Sequence, residues 1–161
     1  MAVWQFILDL VPASSAAVAG VTAARMKREQ LDETRIGFSN ADAEVLFARL
    51  GTLLPEKKSW STSLRIWGDE KTDDIQVGFD GQVIKDIQFR LSVADLSIPL
   101  VGGICELARH LECVFATRDG AILQPNREAV ARTIMQSRAM QFVQDPQRFL
   151  EEAIRLDRDG A

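Results

Sequence analysis

The sequence predicts an α+β fold in a single domain spanning residues 1–161, with a mostly antiparallel sheet and helices packed on one face of it. Three consecutive strand patterns occupy residues 64–91, and segments with a helical spacing of apolar residues stand on both sides of them. A chain of 161 residues with 47% hydrophobic and 26% charged residues also has the size and composition that bury a core without disulfides or metals. The predicted order of elements is β-α-α-β-β-β-α-β-β-α-α.

The first predicted strand covers residues 4–11, which are large or β-branched and end at Pro12. A helix is expected next, beginning at Ser14 or Ser15 and running toward Gln30. Its apolar side chains, over residues 16–24, are nearly all small, which allows a close approach to a neighbouring element. Gly20 lowers the stability of such a helix by roughly 1 kcal/mol relative to alanine.

The second predicted helix begins after Ser39 or Asn40, both of which are good N-cap residues, and ends at Pro55. Asp42 favours the positive end of this helix. One buried stripe is predicted, consisting of Leu46, Phe47, Leu50, Leu53 and Leu54.

Three strands are predicted over residues 64–67, 75–79 and 83–91. Two apolar sets alternate on odd positions, namely Ile75, Val77 and Phe79 and then Ile87, Phe89 and Leu91. A three-residue loop over 80–82 would pair Ile75 with Ile87 and keep both sets on one face of the sheet. We therefore expect an odd-numbered loop or a β-bulge at residues 80–82, and no plain two-residue turn.

The C-terminal half predicts three more helices and two more strands. Pro99 begins a helix that buries Leu100, Ile104, Leu107, Ala108 and Leu111. Strands follow over residues 113–117 and 121–123, joined by a turn at 118–120. Asn126 caps a helix through about residue 137 that buries Val130 and Ile134, and Asp145 with Pro146 begins a last helix that buries Phe149, Leu150, Ala153 and Ile154.

Five carboxylates in the loops of the central strands predict a solvated acidic surface, which comprises Asp69, Glu70, Asp73, Asp74 and Asp80. Trp67 stands beside it. If Trp67 is exposed, it would anchor a cationic protein surface. If it belongs to the core with Trp4 and Trp60, only the carboxylates remain for binding.

Charge and composition exclude several classes of function. A net charge of −4, from 23 acidic and 19 basic residues, argues against a protein that binds nucleic acid without sequence preference. Two cysteines do not make a disulfide framework, and residues 1–9 lack the basic start of a secretory signal. The alanine-rich stretch at 11–24 is too short and too polar to span a bilayer. We expect a cytoplasmic protein.

No motif in the sequence assigns a catalytic residue, a metal ligand or a cofactor. Cys105 and His110 could form a nucleophile and base, but five residues along a helix place them about 140° apart. The alternative is that Cys105 and Cys113 are core thiols. Residues 69–74 lack the alternating oxygen ligands of a calcium loop. Asp9 and Asp86 interrupt strand patterns and are candidates for buried carboxylates with a raised pKa.

The C-terminal run SRAMQFVQDPQRFL at 137–150, together with the string WGD at 67–69, resembles small bacterial immunity proteins of contact-dependent and type VI toxin systems. That resemblance implies a small, cytosolic, often acidic protein without catalytic activity, which covers the active site of a toxin.

Three functions therefore stay open at this point. The preferred one is a non-enzymatic bacterial binding protein that neutralises a basic toxin domain through Trp67 and the acidic surface. The second is a small hydrolase-like enzyme that uses buried carboxylates or Cys105, and it requires one polar pocket that contains Asp9 or Asp86 with Cys105 or His110. The third is a structural or adaptor homo-oligomer joined through the helix at 16–24 or through an edge strand.

Overall fold

The structure is a computed structural model that describes residues 5–34 and 36–137 and positions 143, 145, 147, 148, 150, 151, 154 and 155. Its centre is a seven-stranded sheet with the strand order β4-β5-β6-β7-β1-β8-β9. These strands are β1 (Gln5–Pro12), β4 (Glu56–Lys57), β5 (Leu64–Gly68), β6 (Asp74–Asp80), β7 (Val83–Ser92), β8 (Cys113–Thr117) and β9 (Ile122–Leu123). Among the described residues every pairing in this sheet is antiparallel, so the predicted α+β class is confirmed.

Three helices cover one face of the sheet. They are α2 (Asn40–Leu53), α3 (Ile98–His110) and α4 (Arg127–Met135). Each begins at a side chain that accepts a hydrogen bond from the first turn, namely Ser39, Ser97 and Asn126. These caps satisfy amide groups that would otherwise lack partners, and they place the three starts close to the predicted positions.

The main core lies between these helices and the sheet. It contains Leu46 and Leu50 of α2, Ile104 of α3 and Val130 of α4, all fully buried. From the sheet it takes the apolar sets of β6 and β7 and the even positions Leu8 and Leu10 of β1. The predicted buried stripes of these helices are thus confirmed at their central positions.

The helix predicted from Ser14 toward Gln30 does not form. A short 3₁₀ turn (Ala13–Ala16) leads instead into a small hairpin of β2 (Ala17–Val18) and β3 (Val21–Thr22), followed by helix α1 (Arg28–Glu33). Ala19 and Gly20 form the hairpin turn with φ angles of 52° and 80°. Gly20 and the β-branched residues around it favour this turn over helix, and the small alanine side chains offer little apolar area for a helix to bury.

The opposite face of the sheet carries a second, smaller apolar cluster. Leu31 of α1 and Ala16 pack there against Val11 of β1 and Val114 and Ala116 of β8. Residues 24–26 lie next to the turn after β8 and are hydrogen-bonded to it, since Met26 N donates to Gly120 O over 2.8 Å. Helix α1 therefore lies over the β1–β8 side of this face.

The register of β6 against β7 corrects the predicted loop. Asp80 pairs with Val83 across a plain two-residue turn at 81–82, in which Gly81 has a φ of 65°. Val77 pairs with Ile87 and Ile75 with Phe89, so the predicted pairing of Ile75 with Ile87 is wrong. The odd-numbered apolar sets still share one face, because the register shifts beside Gly78 and Phe79, a few residues from the turn.

Two further predictions concern residues near the chain ends. Trp4, predicted to begin the first strand, lies outside the described residues. Of the last predicted helix, Arg148 N donates to Asp145 Oδ1 over 3.1 Å, which is the expected cap. Leu150 and Ile154 are half exposed or more, so their predicted burial is wrong, while Pro146, Phe149 and Ala153 lie outside the described residues.

Candidate functional site

The acidic loop between β5 and β6 is an ordered turn. Asp69 Oδ1 accepts from Lys71 N over 2.9 Å, and Asp69 N donates to Asp73 O over 3.0 Å. The buried Gln5 side chain crosses to this loop and donates to the carbonyl oxygens of Glu70 and Thr72. The loop is held to the middle of the sheet by these contacts.

Asp74 is not part of a solvated surface. Its side chain is fully buried, and it accepts hydrogen bonds from Arg90 Nε over 2.8 Å and from Gln76 Nε2 over 2.9 Å. Because an unpaired charge is costly to bury, this carboxylate is matched by the guanidinium directly opposite it on β7. The prediction that Asp74 belongs to a solvated acidic surface is wrong, and the side chain is not exposed for a partner.

The other carboxylates of the loop retain some exposure. Glu70 forms an exposed ion pair with Lys57, whose Nζ lies 3.3 Å from Glu70 Oε1. Asp73 Oδ1 accepts from Ser92 N over 2.7 Å. Burial raises the pKa of Asp73, against the lowering effect of the Ser92 hydrogen bond, and the charges of Asp95 and Asp74 raise it further. Asp69 remains exposed.

Trp67 belongs to the core. It is 1% exposed, and its ring stacks on that of Phe47 with centroids 5.9 Å apart and planes 10° apart. The Arg65 guanidinium lies against both rings of this aromatic pair, 4.9 Å from the centroid of Trp67 and 4.3 Å from that of Phe47. Trp67 faces inward because it pairs with Ile75, whose side chain points to the main core. The predicted surface anchor is therefore a core residue.

Asp80 lies at the far end of β6 from the acidic loop. The strand separates it from Asp74 by its whole length, about 20 Å at a rise of about 3.3 Å per residue. The six residues predicted as one binding site thus lie in three places. Trp67 and Asp74 are buried, and Asp80 lies at the distant hairpin tip. The other three, Asp69, Glu70 and Asp73, lie in the acidic loop.

Among the described residues, the large aromatic side chain that is exposed is that of Trp60, at 77%. It lies in the loop at 58–63, hereafter the Trp60 loop. Ser63 O of this loop accepts from Phe79 N over 2.8 Å, which fixes the loop beside the end of β6. Asp80 and the 64% exposed Val83 lie at the same end of the sheet. The polar sequence around Trp60, KKSWSTS, is the signal that sets it apart from the other two tryptophans.

A cavity of about 270 Å³ lies between α1 and the face of the sheet opposite α2, α3 and α4, and we call it the Asp9 cavity. Asp9 of β1 and Gln88 of β7, which pair across the sheet, contribute to its floor. Arg28 and Asp32 of α1 form one wall. Lys85, Asp86 and Arg118 complete the set of charged side chains around it.

Asp9 is the most enclosed charged side chain of this cavity, with 17% of its surface exposed. Its Oδ2 is shielded from solvent, accepts no hydrogen bond from a described residue, and lies 3.7 Å from Arg28 Nη1. Burial raises the pKa of Asp9, although the positive charges of Arg118 and Arg28 and a hydrogen bond from Gln88 oppose that shift. Asp86 adds a smaller upward contribution. The cavity therefore holds a carboxyl group that is incompletely compensated.

The candidates for catalysis are divided between the two faces of the sheet. Asp9 and Asp86 line one cavity. Cys105 is fully buried in the main core, under the helices, and burial raises its pKa to about 11. His110 ends α3 on that same side. The predicted pocket that joins the carboxylates to Cys105 or His110 is wrong, because the sheet separates them.

The fold and the cavity define an α+β protein in which a partly buried carboxylate, Asp9, lines a cavity surrounded by charged side chains. Within the described part of the chain no cluster of His, Cys, Asp and Glu side chains is arranged to hold a metal ion. None of the described helices has the length and apolar character needed to cross a membrane. Comparisons with protein-family models, with curated proteins and with solved structures found no match.

Proposed function

We propose that this chain is a non-enzymatic bacterial binding protein of the immunity or inhibitor kind, and that its contact surface is the end of the sheet that carries the Trp60 loop. The observation that supports the proposal is the 77% exposure of Trp60 beside the hairpin tip with Asp80 and Val83. Tryptophan is among the residue types that dominate the energy of protein interfaces, and it is costly to leave in water.

The partner in this proposal is a basic protein domain, such as a toxin. The chain has a net charge of −4, and Asp80 is exposed at the end of the sheet that carries Trp60. A contact of standard size covers about 800 Å² on each partner, which is wide enough to include Trp60, Asp80 and Val83. In this proposal Trp60 anchors the complex, and the negative charge of the chain increases the rate of association with a cationic surface.

The test is to capture the tagged protein from its native cell and to compare two variants. Trp60→Ser removes the proposed anchor. Val21→Ser is the matched control, since Val21 is 70% exposed on the small hairpin β2–β3. We expect one basic protein to be retained by the wild type and by the control and to be lost with Trp60→Ser. Equal retention by both variants would contradict the proposed surface.

The inhibitor part of the proposal has its own test. The captured protein, expressed alone, should arrest bacterial growth, and co-expression of this chain should restore it. A captured partner without toxicity would leave a binding protein and would remove the immunity role.

A second candidate function rests on the joint presence of Asp9 and Asp86 in one cavity. A carboxyl group with a raised pKa can act as a general acid or base, which is the chemistry of a small hydrolase. Hydrolysis of model esters, glycosides or phosphates that is lost in Asp9→Asn would support this function. The form of this alternative that uses Cys105 has no structural support, because that thiol is fully buried.

One of the two features that suggested a homo-oligomer is absent from the structure. The small-residue helix on which it depended is replaced by the hairpin β2–β3. Its other basis, an edge strand, is limited to β4 and β9, and each of these strands has two residues. Short edge strands offer few free amide and carbonyl groups to a second chain.

A further inference from the structure

The Asp9 cavity has a charge pattern that the proposed binding surface does not use. At its floor Asp9 keeps 17% of its side-chain exposure, while its Oδ2 is closed to solvent and accepts no hydrogen bond from a described residue. Buried polar groups in folded proteins nearly always have their partners, so a carboxylate that is incompletely satisfied and still reaches a cavity indicates a place for a donor from outside the chain at its exposed part. A donor with a positive charge satisfies it best.

The other charged groups around the cavity favour an anion. Arg118 and Lys85 are exposed and line the cavity, and neither has a carboxylate within ion-pair distance among the described residues. Arg28 is already engaged, because it lies 3.7 Å from both Asp9 and Asp32. Two exposed cations beyond ion-pair distance of any described carboxylate thus line the cavity together with Asp9, on which Arg118 acts only at longer range.

We propose that the Asp9 cavity binds a small aminocarboxylate zwitterion, with its ammonium group at Asp9 and its carboxylate group at Arg118 and Lys85. A cavity of about 270 Å³ has room for a molecule of that size and is too small for a peptide segment. The apolar side chains of Val11 and Leu31 line the same cavity and can cover the carbon atoms between the two charges.

A ligand with a single charge is a poorer match. A simple anion would approach Asp9, Asp32 and Asp86, and a simple amine would approach Arg28, Arg118 and Lys85. Three acidic and three basic side chains surround the cavity. A molecule with one positive and one negative group can therefore place each group beside side chains of the opposite charge, which a singly charged molecule cannot do.

The experiment is a titration of the full chain, followed by amide chemical shifts, with probes that differ in charge and length. Glycine, β-alanine and 4-aminobutyrate vary the separation of the two charges. Butyrate and butylamine keep the four-carbon chain and carry one charge each. We expect at least one zwitterion to give saturable shifts in β1, α1 and the turn after β8. Its affinity should exceed that of either singly charged probe about tenfold or more.

Two variants locate the ligand groups. Asp9→Asn should weaken the zwitterion about ten- to hundredfold, the range covered by charge-assisted hydrogen bonds, without a comparable effect on butyrate. Arg118→Gln should weaken the binding of the zwitterion and of butyrate, since each places its carboxylate at Arg118 in this proposal. Arg25→Gln is the matched control, because Arg25 is an exposed arginine whose Nη1 donates to Asp119 O, next to Arg118 but outside the cavity.

A second measurement does not depend on any variant. Burial raises the pKa of Asp9, and an ammonium group bound beside it favours the ionised carboxylate. Binding at acidic pH should therefore release protons, which calorimetry detects as a heat that depends on the ionisation enthalpy of the buffer. The other charged groups that face the cavity are Arg28, Arg118, Lys85, Asp32 and Asp86.

Three results would overturn the proposal: no saturable shift with any zwitterion, equal affinity for butyrate and 4-aminobutyrate, or no proton release at acidic pH. None of these results bears on the Trp60 surface, since Trp60 lies outside the cavity lining. Loss of partner capture in Trp60→Ser would equally leave the cavity proposal intact.

Discussion

Asp74 and Arg90 face each other directly across β6 and β7, and Arg90 Nε donates to Asp74 Oδ1 over 2.8 Å. The carboxylate is fully buried and the guanidinium is 19% exposed, so this pair is shielded on the Asp74 side and reaches solvent on the other. Gln76 completes the set by donating to Asp74 Oδ2. The most buried carboxylate of the acidic sequence therefore stabilises the sheet and is withdrawn from binding.

Asp74→Ala should destabilise the fold by about 3–5 kcal/mol, because it leaves the Arg90 guanidinium partly buried without its partner. The free energy of unfolding in urea measures this directly. Asp80→Ala is the control, since Asp80 is exposed at the hairpin tip, and its effect should stay within about 0.5 kcal/mol. A loss in Asp74→Ala no larger than in the control would show that the pair contributes little. For the same reason, charge reversal at Asp74 would test stability and not partner binding.

Asp9 should make the fold less stable as the pH rises. Its pKa in the folded chain is raised from the ordinary value of 3.8, so the folded state binds more protons than the unfolded state between the two pKa values. Stability contributed by the neutral carboxyl is thus present at the acidic end of this window and is lost as the pH passes through the folded pKa.

Asp9→Asn removes this titration, so its stability relative to the wild type should increase from about pH 4 upward and then become constant. Urea unfolding of both proteins at a series of pH values gives the difference. A difference that is constant over the whole series, or that decreases as the pH rises, would show that the folded pKa of Asp9 is not raised.

Both cysteines should be unreactive in the folded protein. Burial raises the pKa of Cys105 to about 11 and that of Cys113 to about 12, and the thiolate is the reactive form. Alkylation with iodoacetamide at neutral pH, followed by mass spectrometry, should modify neither thiol until the chain is unfolded in urea. The unfolded sample is the positive control. Rapid modification of Cys105 in the folded chain would reopen its role as a nucleophile.

The elements that the sequence predicts well are those with strong local signals. Ser39, Pro99 and Asn126 each predict a helix start that lies within one or two residues of the observed start. Such starts are predictable because a cap depends only on the few residues around the first turn of the helix. The alternation in β6 and β7 likewise identifies the buried face correctly. The loop geometry between these strands is harder to predict, since a bulge inside a strand and an odd loop have the same effect on alternation.

The candidate site depends on contacts between distant segments. Trp67 is buried because β5 pairs with β6 and brings it opposite Ile75, and the length of the acidic loop alone does not fix that register. The Asp9 cavity forms because β1 lies between β7 and β8 and because α1 packs on the face of the sheet opposite the other three helices. Strand order and the packing of a six-residue helix leave no periodic pattern in the sequence.

Gly81 and Gly120 offer a matched pair for the last prediction, because both have a positive φ, of 65° and 88° respectively. A Cβ atom at position 81 would meet open space, so Gly81→Ala should cost only the strain of the backbone, about 1–2 kcal/mol. A Cβ atom at position 120 would overlap the carbonyl oxygen of Met26, the residue whose amide donates to Gly120 O. Gly120→Ala should therefore be clearly more destabilising than Gly81→Ala in urea unfolding.

Gly120→Ala should also disturb residues 24–26 and α1, which would be seen as changes in amide chemical shifts around the Asp9 cavity. Equal losses of stability in the two variants would mean that the segment before α1 does not pack against the turn after β8.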